Sequence, residues 1–388
     1  MLRVLLTLGA IGGGAYLLHR YGYIEQAAAV DNIVGMLPMA FVIVGASALT
    51  ALVWMRHSKK YAPLSVALAL TVVLSVALFP NALRGNWWLS PPSAGVADQP
   101  DLSVYAPFAE NSQAATLDGE PTLKLTADLP LLDGATAFYP VYAAFAQAVY
   151  DRDSYTEDRV ICTKTNKAYR SIIDGSCDVI FTLKPSASQK AAAKAAGAEL
   201  VFTPIAKEAF VFLAGRENPV DGLTSRQIRN VYSGKTAKWN TLGWREGGDI
   251  IAFQRPEGSG SQTGLQTVMG DLPIQAPQPL PDAGLIGTNS LMKQISVEWK
   301  GVQPALGYSY RYFATTMYAN PAAKLLSIDG AYPSPANIRS GAYPFIFDIY
   351  AVTNGEPQGN VKLLIDWILS PQGKELIAKT GYTPIGGE

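Results

Sequence analysis

Phe253-Gln254-Arg255-Pro256-Glu257-Gly258-Ser259-Gly260-Ser261-Gln262-Thr263-Gly264 joins a short apolar run, 249–253, to a segment of helical character, 262–269. Such a turn offers what an anion needs. Glycines let the backbone approach closely, the first N–H groups of the helix lack partners within it, hydroxyls add donors, and a guanidinium grips two oxygens at once. The stretch is not a nucleotide-binding P-loop, because the lysine of GxxxxGK[ST] is missing.

The chain of 388 residues has room for more than one domain, and its formal net charge of zero argues against nucleic acid as a partner. Both histidines, His19 and His57, lie in the apolar first part, so nothing after Lys60 supplies an imidazole. Histidine-dependent triads and His-ligated zinc are thereby excluded from the rest of the chain, and neither a metal nor a cofactor is called for.

Three apolar blocks occupy residues 1–84. The first, 2–18, is short for a span of about 20 residues and also reads as a signal peptide with Ala27-Ala28-Ala29 near a cleavage point. The second and third, 33–55 and 64–83, read as membrane helices. Apolar core helices are the alternative, and the charge-free length of 33–55 speaks against them. Arg56-His57-Ser58-Lys59-Lys60 between them marks a cytoplasmic loop, which places everything after Arg84 on the periplasmic or extracellular side of the inner membrane. Trp87-Trp88 suits the outer interface, and 85–120, with Pro91-Pro92, Pro100 and Pro107, reads as a linker.

From Leu123 strands and helices alternate: strands at 123–127, 160–162, 178–183, 200–203, 209–214, 249–253 and 345–352, helices at 139–150, 168–174, 188–196, 224–232, 360–369 and 371–379. That alternation predicts parallel βα units. Open α/β sheets place ligands at strand ends and helix N-termini, and three turns sit there: 133–138 with Thr136, 163–166 with Thr165, and the quoted loop. Alone, the Gly-Ala-Thr turn reads more readily as a helix cap than as a ligand site, and Thr165 could likewise simply cap its helix. Cys162 and Cys177 are open to oxidation outside the cytoplasm, but as parts of parallel strands they fall at opposite ends of the sheet, and Cα atoms beyond about 7 Å cannot be bridged. Tyr308 and Tyr310 read as packing residues.

A collinear set of segments resembles the phosphate-binding proteins of bacterial ABC importers. It comprises Arg255 with Gly258-Ser259-Gly260-Ser261, Gly222-Leu223-Thr224 through Asn230-Val231-Tyr232-Ser233-Gly234-Lys235 to Trp239-Asn240, and Pro204-Ile205-Ala206-Lys207. Leu306-Gly307-Tyr308-Ser309-Tyr310, Ile328-Asp329-Gly330 with Pro333-Ser334, and Ile368-Leu369-Ser370-Pro371-Gln372-Gly373 complete it. The resemblance implies an α/β, two-lobed type II periplasmic-binding-protein fold over 121–388, preceded by an all-α transmembrane region. Lobe one would hold 121–207 and 313–388, lobe two 208–312, with crossings at 210–213 and 308–312. It further implies a solute-binding receptor, not an enzyme, that holds phosphate with Thr136, Phe138, Thr165, Arg255, Ser259, Gly260 and Ser261 and presents it to an ABC transporter permease.

Two departures stand out. The second turn is Thr163-Lys164-Thr165-Asn166 instead of Gly/Ser-rich, and where many members carry an aspartate this chain has Thr182-Leu183-Lys184-Pro185. A carboxylate there accepts the proton of phosphate and repels sulfate, so discrimination should weaken. Lys184 as added positive charge and Asp133 as a substitute acceptor stay open, as does a sensory or scaffolding module that keeps the fold without tight binding.

Overall fold

The computed structural model describes residues 100–255, 257–276, 305–319 and 323–386, all within a single compact unit of the chain. The apolar blocks within 1–84 and the start of the expected linker lie outside these residues. Among the described residues no helix is long and apolar enough to cross a membrane.

In chain order the first elements are β1 (Leu132–Gly134), α1 (Tyr139–Val149), α2 (Lys164–Asp174), β2 (Val179–Thr182), α3 (Ala187–Ala196) and β3 (Leu200–Gly215). Next come β4 (Gly222–Leu223), α4 (Ser225–Tyr232), β5 (Ile251–Ala252), α5 (Gly260–Met269), β6 (Ala305–Tyr310), β7 (Ala323–Leu325) and β8 (Ser327–Ile328). The chain closes with α6 (Pro335–Ser340), β9 (Ile346–Asn354), α7 (Gly359–Ile368), α8 (Pro371–Lys379) and β10 (Thr383–Pro384). Local chemistry sets the helix ends. Thr224 caps α4 in a reciprocal box with Gln227, and Ser186 does the same for α3 with Gln189.

Strand β3 holds the architecture together. The expected strands 200–203 and 209–214 are one strand of 16 residues with a register shift between Pro204 and Ala206, where a proline without an N–H is tolerated. Its first part pairs antiparallel with β9 and β10; its second part, from Phe210, pairs antiparallel with β6 and β7. One strand group is therefore β1, β2, β9 and the start of β3, and the other is the end of β3 with β6, β5 and β7. The expected parallel βα units hold for β1 with β2 and β5 with β6, whereas β9 runs antiparallel to both its neighbours.

At the change of partners lies an aromatic cluster. Phe210 stands 5.4 Å from Tyr308, 5.5 Å from Tyr310, 5.6 Å from Phe212 and 5.6 Å from Phe347. Tilted and edge-on rings at these separations add about 0.5–1.5 kcal/mol per pair beyond burial.

Three expectations need correction. The strand at 123–127 is reduced to a single bridge, Leu125 to Tyr150, and 160–162 to a bridge from Val160 to Leu132; the regular strand is β1, inside what reads as a turn. Residues 323–328, expected in lobe one, pair with the end of β3 and with β4. The described part of 85–120 is no free linker. Tyr105 is buried, Phe108 N–H bonds to Gln147 Oε1 on α1 at 3.2 Å, and Asp118 meets Lys379 on α8 at 2.5 Å. A segment with two elements to lean on folds back onto them despite its prolines.

Candidate functional site

The first turn leaves β1 beneath a buried carboxylate. Asp133 accepts from the N–H groups of Gly134 and Thr163, each at 2.7 Å, and from the Thr163 hydroxyl at 2.5 Å. Burial pushes its carboxyl above the usual range, against the pull of those hydrogen bonds. Asp133 thus ties the second turn to the first. Gly134 is needed because a Cβ there would run into the Phe181 carbonyl.

Thr136 opens a single 3-10 turn, Thr136–Phe138, and makes no capping bond; the Cys162 thiol lies 3.7 Å from its hydroxyl. Phe138 is fully buried, 5.6 Å from Tyr310 and 6.2 Å from Tyr382, and its N–H donates to the Ala135 carbonyl at 2.9 Å. Its ring packs between Tyr310 and Tyr382, and its N–H is already used. Cys162 and Cys177 are both free, Cys162 beside Gly134 and Cys177 3.2 Å from the Leu131 carbonyl at the opposite end of β1.

Lys164, at the start of α2, is held at φ +70, a left-handed conformation that costs a non-glycine residue on the order of 1 kcal/mol. Thr165 follows, buried, and no side-chain bond caps α2. Its hydroxyl faces Gly260 so closely that a Cβ there would stand 2.9 Å from Oγ1. The cap readings of Thr136 and Thr165 therefore fail, and both hydroxyls remain for other use.

On the opposing loop Ser259 does act as a cap, accepting from Gln262 N–H at 3.3 Å, which leaves its own proton to donate outward. The N–H groups of Gly260 and Ser261 lie in the first turn of α5, ahead of its internal bonding. Arg255 is placed by its backbone: the N–H donates to Gln262 Oε1 at 2.9 Å and to the Tyr308 hydroxyl at 2.8 Å, and that hydroxyl in turn donates to Gln262 Oε1. Tyr310 donates to the Gly260 carbonyl at 2.8 Å. These tyrosines, expected only to pack, hold the loop by their hydroxyls; the spacing of a strand gave no hint of that.

Among the described residues no acceptor meets the Arg255 guanidinium. The nearby Glu257 carboxylate is bound instead by Gln266 Nε2 at 2.7 Å. Burial lowers the Arg255 pKa, Tyr308 opposing. A half-buried charge without a partner is costly unless an anion joins it. Lys184 does not help: it is exposed, with its ammonium 5.7 Å above the Tyr350 ring.

The second and third turns touch directly. Asn166 Nδ2 donates to the Glu257 carbonyl at 3.2 Å and Gln189 Nε2 to the Gly258 carbonyl at 3.1 Å. Thr165 is thus brought against Gly260, between Ser259 and Ser261, whereas the contact recorded for the Thr136 side chain is with Cys162. Among the described residues no cluster of His, Cys, Asp or Glu is fit to hold a metal ion.

The chain is similar to several known proteins. The phosphate-binding protein PstS of Bacillus subtilis is 25% identical over 181 residues, 46% of this chain and 56% of the relative. The chain thus spans little more than half the length of that relative. Protein SphX of Synechococcus elongatus is 19% identical over 280 residues, 65% of this chain and 76% of its own. Among solved structures, an ABC-type phosphate transport receptor from Vibrio cholerae is 16% identical with a TM-score of 0.45, covering 67% of this chain and 99% of its own. The model of the PBP superfamily domain matches residues 120–372, more than half of the chain, and the chain belongs to that superfamily.

Proposed function

We propose that the protein is an extracytoplasmic receptor for phosphate or a similar oxyanion, with the two strand groups acting as lobes that close on the ligand. The observation that carries this reading is the meeting of Thr165 with Gly260, five residues along the chain from Arg255, whose guanidinium meets no acceptor among the described residues. Arg255 supplies charge and a forked pair of donors, Gly260 and Ser261 supply N–H groups, and Thr136, Thr165, Ser259 and Ser261 supply hydroxyls. Phe138 walls the site with its ring. Donors fixed in a cleft that excludes water bind an anion more strongly than the same groups in solvent. The PstS relative named above is a phosphate-binding protein, and this chain is likewise read as a binding protein and not an enzyme.

The apolar segments 33–55 and 64–83 would anchor the receptor in the inner membrane, from which it presents its ligand to an ABC transporter permease. Equilibrium dialysis of the full chain in detergent against labelled phosphate tests the binding claim. Saturable uptake of one phosphate per chain is expected; no uptake of phosphate, arsenate or sulfate would leave only a scaffolding or sensory role.

A further inference from the structure

Gln189 is used more fully than its place in α3 requires. As the third residue of the helix it completes a capping box, its Oε1 accepting from Ser186 N–H at 2.9 Å. A glutamate would do that equally well. The amide, however, spends both Nε2 protons elsewhere, on Asn166 Oδ1 at 2.9 Å and on the Gly258 carbonyl at 3.1 Å. Asn166 passes the contact on, its Nδ2 reaching the Glu257 carbonyl at 3.2 Å.

The donors belong to α2, which packs on β1, β2 and β9, and to α3, which packs on α2; both acceptors are backbone carbonyls of the loop leading into α5, which packs on β6. Gln189 is buried where the contact forms, with every polar atom satisfied. Gly258, at φ +77, lets the loop come this near, because a Cβ there would overlap Asn166 Oδ1. None of these four groups is among the anion donors.

We propose that Asn166 and Gln189 are positioning residues that latch the lobes together beside the anion site without touching the anion, so that the anion-free protein already populates the closed form. Its effect on affinity rests on the anion-site reading; the closure itself does not. Two cross-lobe bonds of ordinary strength shift an open–closed equilibrium by about ten-fold or more. That pre-closure tightens binding chiefly by slowing release.

The test is Gln189→Glu in the full chain, which keeps the capping acceptor, removes both donors and turns a carboxylate toward two oxygens. Spin labels at Lys194→Cys and Lys235→Cys, both exposed positions, in a Cys162→Ala, Cys177→Ala background report the distance between lobes. Without anion, the parent is expected to show a closed-distance population that Gln189→Glu loses, with phosphate Kd rising about ten-fold through faster release. Asn166→Ala, at an exposed position, should repeat the result if the first variant folds poorly. Unchanged distances and release rates in both variants would overturn the latch. Arg255→Ala separates the two ideas: it should weaken phosphate binding by about 10- to 100-fold yet keep the anion-free closed population, and loss of that population with Arg255 would also overturn the latch.

Discussion

The Glu208 carboxylate on β3 accepts the backbone N–H of Tyr312 at 3.2 Å, joining the two chain segments that pass between the strand groups. Its other oxygen accepts from Ala209 N–H at 2.7 Å. Burial pushes this carboxyl up to about 7, opposed by those two N–H groups and by Arg311. Tyr310, Tyr312 and Tyr382 stand near it, each with a hydroxyl that burial holds protonated.

A folded-state pKa of about 7 against 4.5 when unfolded means that the folded chain binds the extra proton between those values. Stability therefore falls as pH rises through that window, the contribution of Glu208 being greatest below it and least above. The span corresponds to about 3 kcal/mol at most. Glu208→Gln should flatten this slope, so that urea unfolding between pH 5 and pH 8 shows the variant gaining on the parent as pH rises. Parallel profiles would refute the assignment.

Tyr308→Phe removes the hydroxyl that accepts from Arg255 and donates to Gln262. The Arg255 N–H keeps Gln262 as partner, so the fold should lose only about 1 kcal/mol. Phosphate affinity should fall about five-fold as the loop loosens, measured by titration calorimetry. An unchanged Kd would show that the tyrosine only packs.

Gly264 on α5 lies against the crossing strands: a Cβ there would stand 2.6 Å from the Phe210 ring and 2.9 Å from the Tyr310 hydroxyl. Gly264→Ala should cost about 1–3 kcal/mol in spite of alanine's better helix propensity, because the helix must lift from the sheet. A thermal midpoint at or above that of the parent would contradict the packing described.

The proposed anion site consists of donors only. Asp133 receives three hydrogen bonds from Gly134 and Thr163, and Lys184 rests over Tyr350, so neither accepts a phosphate proton nor adds charge. Sulfate, which has no proton to place, should bind within about ten-fold of phosphate. Competition of sulfate against labelled phosphate measures this; discrimination beyond about a hundred-fold would require an acceptor elsewhere.

The parts of the proposed site that the sequence suggests by itself are those whose chemistry is local. Gly258 to Ser261 and the hydroxyl turns at Thr136 and Thr165 announce themselves by residue type, since few other uses gather glycine, hydroxyls and an arginine at a strand end. What was not legible depends on tertiary partners. Asp133-Gly134 reads as a turn, yet burial beneath the second turn makes it the end of β1. The hydroxyls of Tyr308 and Tyr310 find Arg255, Gln262 and Gly260 across some fifty residues of chain, and Gln189 looks like a cap until its amide protons are followed to Gly258. The return of 323–328 to β3 and β4 is likewise a matter of pairing, which short strands without a periodic pattern cannot signal.

The central claim is that Arg255 and the turn beside it hold an oxyanion against the hydroxyl turns opposite. Titration calorimetry of phosphate into the full chain and into Arg255→Ala tests it most directly. The account predicts that the variant folds as the parent does and that Kd rises by about 10- to 100-fold, the worth of a charge-assisted pair of hydrogen bonds. Phosphate binding undiminished by Arg255→Ala would contradict it.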